Sequence, residues 1–246
     1  MAAQLSRISL GGNTRSSLRI SGLAALLLWG ASVANAQQCL GVQSFAGKPV
    51  QVFGAAAFDS TSRTLAAGLR LGGRGTLGEI ELGSMYLKPY DASSLVVGAG
   101  VAYQLGLNAK GTIQFCPAAS LRFALGPKNI PASLDTVDYN SSNWMLGGVI
   151  GVLAIHTSQI DVMPTVSLGF VHTTQKLNGS GTAMSVSHSF ALLDLGVGLV
   201  HRQQFSLKPM LSIPIGLHNP VLAPGRLPGS TIALTLALFY SLGHAE

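Results

Sequence analysis

From about residue 48 to the C-terminus, apolar residues alternate with small or polar ones at a period of two. Leu95, Val97, Ala99, Val101, Tyr103, Leu105 and Leu107 share one face, with Val96, Gly98, Gly100, Ala102, Gln104 and Gly106 on the other. The last segment repeats the pattern, setting Ile232, Leu234, Leu236, Leu238, Tyr240 and Leu242 against Thr231, Ala233, Thr235, Ala237, Phe239 and Ser241. Leu121, Phe123 and Leu125 alternate with Ser120 and Arg122, and Leu193, Leu195, Val197 and Leu199 alternate with Asp194, Gly196 and Gly198. A strand turns successive side chains to opposite faces, so this period predicts strands. Helical spacing fits none of these segments, and each internal glycine would cost a helix about 1 kcal/mol.

The alternation predicts about ten strands, at 48–58, 63–72, 76–87, 94–106, 110–125, 143–156, 159–173, 187–201, 205–217 and 230–242. Merging or losing one weak hairpin would leave eight. The second, fourth, sixth and eighth connectors are short turns, such as Gly73-Arg74-Gly75 and Thr157-Ser158. Most of the others are longer, at 88–93, 126–142, 174–186 and 218–229, and rich in Pro and Gly.

Composition decides what those strands face. The chain has 246 residues, of which 48% are hydrophobic and only 10% charged, with 30 glycines. Disorder is excluded, and so is a nucleic-acid binder, because no Lys/Arg cluster occurs. The content is that of a membrane protein. Yet after residue 40 the longest apolar run, Trp144 to Ile155, falls short of the roughly 18–20 residues a spanning helix needs. Lipid admits only helices and closed barrels, so the expected fold is all-β: an antiparallel up-and-down transmembrane β-barrel of eight to ten strands, ten favoured.

The N-terminus adds the compartment. Arg7, Arg15 and Arg19 precede an apolar stretch from Leu23 to Val33 and a small-x-small site at Ala34-Asn35-Ala36. This is the pattern of a secretory signal peptide over 1–36, with an uncleaved anchor as the alternative, leaving 37–246 as one barrel domain. Removing three arginines lowers the net charge from +6 to +3, so no acidic partner is implied. In an oxidising compartment Cys39 and Cys116 are expected as a disulfide rather than two free thiols. The six histidines are scattered without ligand spacing, and neither a metal nor a cofactor is expected.

One hairpin allows its register to be read. Pairing Leu69 with Ile80 and Ala67 with Leu82 on the outer face sets Arg70 opposite Glu79, and Gly68 opposite Glu81, on the inner one. Arg122, Asp161 and Asp194 also fall on inward faces. Arg70, Glu79, Glu81, Arg122, Asp161 and Asp194 are therefore expected to form a lumenal polar network. Such a network either guides ions or simply fills a narrow lumen with paired side chains, and the filled lumen is the commoner outcome in small barrels.

With the export pattern, ten alternating segments and a final strand from Ile232 to Tyr240, the chain resembles the small outer-membrane β-barrel superfamily of Gram-negative bacteria. That resemblance implies the outer membrane as location and its lipid as surroundings. It also implies recognition of the last strand by the barrel-insertion machinery, although Ser241–Glu246 follows where many members stop at an aromatic. Expected interface anchors are Tyr86, Tyr90, Trp144, Phe170 and Phe239 or Tyr240. The leading function is a structural barrel or passive small-solute pore. One alternative is a lipid-modifying enzyme: His156-Thr157-Ser158 has the His-x-Ser spacing seen in outer-membrane lipid A deacylases, with Asp161 as orienting acid. The other is a binding barrel, engaging a surface partner through loops 126–142 and 218–229.

Overall fold

The computed structural model describes residues 38–43, 45, 49–73, 75–126, 130–132, 135–179, 183–216, 221–222, 225–226 and 231–242. The expected signal peptide, 1–36, lies outside the described residues. Ten long strands form the wall: β1 Val50–Phe58, β2 Ser62–Gly73, β3 Thr76–Leu87, β4 Ala92–Tyr103, β5 Ile113–Leu125, β6 Asp135–Val152, β7 Ile160–Gly179, β8 Ala183–His201, β9 Phe205–Ile215 and β10 Ala233–Leu242. Each pairs antiparallel with the next. β1 also pairs with β10, from Val50 opposite Leu242 to Phe58 opposite Leu234, and so closes the barrel. Closure leaves the wall without an unpaired edge.

The faces divide as the alternation requires. Leu65, Ile80, Val101 and Ile232 each leave 60% or more of their surface exposed on the outside, whereas Val96, Gln51 and Gln114 inside are at most 1% exposed. Phe239 turns inward and Tyr240 outward, so only Tyr240 of that pair is an outer-surface aromatic. Tyr90 is not a free anchor either. It folds back against the lumenal cluster around Tyr139, with ring centroids 6.4 Å apart.

Three strands stand taller than their apolar pattern. β6 begins at Asp135 rather than 143, β7 continues to Gly179 rather than 173, and β8 begins at Ala183 rather than 187. The connectors expected at 126–142 and 174–186 shrink accordingly, and the length contrast between the two ends of the barrel narrows. Polarity inverts along these extensions. On β7, Val166, Leu168 and Phe170 face outward up to a level where Trp144 of β6 packs on Phe170 (centroids 5.5 Å) and stacks on His172 (5.6 Å). Beyond it the outward residues are Thr174 and Lys176, while Val171, Gln175 and Leu177 are buried inside. Hydroxyl contacts stitch the outer face here: Thr174 to Ser187 at 2.9 Å, and His172 Nδ1 to Ser189 at 2.8 Å. An apolar-outside rule loses such segments because their apolar side chains point the other way.

Candidate functional site

The lumen is filled in three layers. The end holding Val50 and Leu242 is called the terminal end here, and the opposite one the loop end. At the terminal end, Gln38–Leu40 form a single 3-10 turn inside the barrel. Gly41 then adopts φ +64°, a left-handed conformation that favours glycine. Cys39 is bonded to Cys116 on the inner face of β5, with Cα atoms 5.8 Å apart.

Side chains from several strands hold this segment. Ser206 donates to Gln43 Oε1, and Gln43 Nε2 donates to the Gln204 carbonyl at 3.2 Å. Gln51 Nε2 donates to the Gln43 carbonyl at 3.1 Å, and Lys208 Nζ to the Leu40 carbonyl at 2.9 Å. Val42 packs with Phe53, Ala237 and Phe239. The wall is cut to receive the segment: a Cβ on Gly198 would strike the Gly41 backbone, and one on Gly72 would strike the Phe45 ring. Gln38–Gln43 with Phe45 is thus a plug, with Cys39, Val42 and Gln43 fully buried in the lumen.

The middle layer carries the charge. Arg70 and Glu79 are direct cross-strand partners and meet at 2.8 Å. The Arg70 guanidinium also lies over the rings of Phe239 (4.3 Å) and Phe53 (5.3 Å), a favourable placement for a cation. Glu81 pairs instead with Arg122, whose Nη2 is 3.0 Å from Glu81 Oε2, across the intervening β4. Gly98 and Gly100 of β4 make room, since a Cβ at either would run into the Glu81 or Glu79 side chain. Asp194 accepts from Ser167 at 2.7 Å, and its other oxygen is buried without a hydrogen-bond partner among the described residues. A cavity of about 90 Å³ lies beside it, lined by Met145, Thr165, Ser167, Lys208 and Met210, large enough for ordered water.

Asp161 stands apart from the other expected network residues. It sits at the terminal rim, where its carboxylate takes a 2.6 Å contact from His156 Nδ1 and a bond from Gln203 Nε2, tying the turn at 157–159 to that at 202–204. His156 therefore faces Asp161, while Thr157 closes its own turn on the Ile160 carbonyl at 2.8 Å. At the loop end Leu87, Val96, Ala124, Tyr139 and Leu177 pack together, with Met85, Tyr90 and Val186 against them, and Ser94 and Gln175 are buried at the same end.

Sequence reasoning missed the plug and Lys208. A signal for the plug existed, because alternation places Cys116 on the inward face, so any bond to Cys39 must draw the N-terminal segment inside. The pattern carried a signal for Lys208 as well, because alternation over 205–211 sets it with Ser206 and Met210 on the inward face.

No family model matches the chain, and no curated protein matches it by sequence. Solved structures do. The chain is similar to the N-terminal β-barrel domain of Pseudomonas aeruginosa OprF, at 12% identity over 78% of this chain and 96% of that one, with a TM-score of 0.35. It is similar to Ail, the attachment invasion locus protein of Yersinia pestis, at 11% identity over 79% and 99%, TM-score 0.38. The NanC porin gives 10% identity over 78% and 100%, TM-score 0.36. At these identities and TM-scores the likeness reaches no individual residue of the lumen.

Proposed function

We propose that the chain is an integral outer-membrane β-barrel with a structural role, its lumen closed at rest by its own N-terminal plug. The observation that carries this reading is the inversion of polarity on β6–β8. Ile160 and Phe170, both exposed on the outer face of β7, are ten residues apart. At about 3.3 Å per residue and a tilt of about 40°, they bound an apolar band about 25 Å tall, the height typical of outer-membrane barrels. A wall exposed to water throughout would not keep Leu65, Ile80, Val101 and Leu168 outside. In this reading the wall end at Val50 and Leu242 and the His156–Asp161 pair lie on the periplasmic side, and the tall ends of β6–β8 stand outside the cell. Outer-membrane lipid then meets the Trp144–Phe170 level, and the insertion machinery receives β10. The filled lumen favours the structural role over a standing open pore.

Fractionation of cells producing the full chain tests this, together with gel migration before and after boiling. The expected result is recovery with outer membranes and a band that shifts on heating. Recovery in the soluble periplasmic fraction would overturn the proposal.

A further inference from the structure

The Cys39–Cys116 bond lies where no enzyme reaches it in the closed barrel. Both cysteines are at most 1% exposed, one on the plug and the other on the inner face of β5. The wall around them is sealed at the β1–β10 seam, and the loop end is filled by the cluster around Tyr139 and Leu177. On the terminal side Gln43 is fully buried, held by the Ser206 hydroxyl and the Gln204 carbonyl.

A disulfide forms by exchange with a donor disulfide, through an intermediate in which one cysteine is bonded to the donor. The second cysteine must then approach in line with that bond. Small barrels hold their own side chains or at most one small ligand, so a protein donor has no room to stand inside. The exchange therefore belongs to a stage at which the wall is open.

The order of the strands allows such a stage. The bond closes a loop of 77 residues that contains β1–β4 and the start of β5, and no part of β8–β10. The remaining contacts of the plug come from those later strands. Gly198 of β8 lies against the Gly41 backbone, with no space for a Cβ. Lys208 and Ser206 of β9 bond the Leu40 carbonyl and Gln43 Oε1, and Ala237 and Phe239 of β10 pack on Val42. So the cross-link can be made from the first half of the wall alone, and the second half is shaped to fit what the cross-link holds.

We propose that the reduced chain is a substrate of a disulfide-carrying thiol oxidoreductase while its wall is open, and that the later strands then close around the cross-linked plug. The plug is the former on which the lumen is built. In the first step the thiolate of one cysteine attacks the donor disulfide, giving a mixed disulfide and a donor thiol. The other cysteine then attacks its partner's sulfur, so the Cys39–Cys116 bond forms and the mixed disulfide breaks. The donor leaves as a dithiol with the two electrons and two protons the cysteines gave up. Closure afterwards takes both sulfurs out of reach of any protein dithiol. The outer-membrane reading above supplies the compartment where the donor is met, whereas the order of the two events rests on burial.

The test starts from the full chain, reduced and unfolded in urea, and folds it by dilution into phospholipid vesicles. A thiol oxidoreductase in its disulfide form is added either before dilution or after it. Closure of the wall is scored by resistance to proteinase K, and membrane association by flotation. The bond is counted by peptide mass after denaturation and trapping of free thiols with N-ethylmaleimide. On the protease-resistant fraction it is expected to form about a hundredfold more slowly than on the unfolded chain, the factor for an opening that costs ~2.8 kcal/mol. The chain oxidised first is expected to close, and its bond then to resist reduced thioredoxin by a similar factor. The double variant C39S/C116S shows whether the wall closes without the bond. If neither it nor the reduced chain becomes protease-resistant, closure waits for the bond, which is the same order in stricter form.

Equal rates on the unfolded chain and on the protease-resistant fraction would overturn the proposal. A chain that closes only when kept reduced would overturn it too, as would rapid reduction of the closed form by thioredoxin. Failure of every form to float would overturn the membrane reading and leave the two rates to decide the order.

Discussion

Arg122 grips Glu81 from two strands away, and the residue between them, Gly98, is paired with both. The ion pair exists because β4 presents no side chain at that point, and a Cβ there would meet the Glu81 side chain. Gly98→Leu is therefore expected to push Glu81 off Arg122 and destabilise the barrel by about 1–3 kcal/mol, the usual range for overpacking. Urea unfolding followed by tryptophan fluorescence measures it. An unchanged midpoint would show that the glycine is incidental.

Arg70 and Glu79 form a pair that is mostly shielded from solvent, with 15% and 26% of their side-chain surfaces exposed. Removing one partner leaves a charge with little water around it, so each single change should cost more than the double change removes. Arg70→Met and Glu79→Gln are expected to show a coupling of about 1–3 kcal/mol in a double-mutant cycle. Additive effects would mean that the ring contacts of Arg70, not Glu79, set its contribution.

Gly198 tests the plug without touching its cysteines. Gly198→Leu places a side chain where the Gly41 backbone lies, so the plug must leave its seat while still tethered. Amide hydrogen exchange of Leu40–Gln43 is expected to accelerate by tenfold or more, a loss of ~1.4 kcal/mol or more of local stability, with the wall strands unchanged. Unaltered protection at these amides would mean that the wall, not the plug, yields.

Two lysine substitutions probe the apolar boundary on one strand. Val166 and Thr174 both face outward on β7, on either side of the Trp144–Phe170 level. Val166→Lys should cost about 2–4 kcal/mol in lipid, whereas Thr174→Lys should cost about 0–1 kcal/mol. Equal costs would place the boundary elsewhere. In detergent-free urea with lipid vesicles, refolding yields at equilibrium give both numbers.

The wall was legible in the amino-acid sequence because one rule, apolar side chains outward, holds along every long strand. Leu69 opposite Ile80, and Arg70 opposite Glu79, follow from alternation and a tight turn alone. The rule ends above the Trp144–Phe170 level, which is why 135–142, 174–179 and 183–186 do not read as strands. The Arg122–Glu81 contact was illegible for a different reason. It depends on β3 and β5 facing one another across a curved wall, and no local pattern encodes that geometry. Asp161 shares the inward parity of the other charges, yet parity carries no height, so its place at the rim beside His156 and Gln203 came only from the fold.

The cross-link also sets how the molecule bears load. The seam between β1 and β10 joins the two ends of the wall by hydrogen bonds, and tension on the chain entering β1 would ordinarily peel that strand from it one pair at a time. With Cys39 bonded to Cys116, a pull applied ahead of residue 39 enters the wall through β5, four strands from the seam. The force is then shared between strands held on both sides, and the seam is bypassed. The same bond that seats the plug would let the barrel bear a pull on its N-terminal side, entering at Cys39, without unzipping.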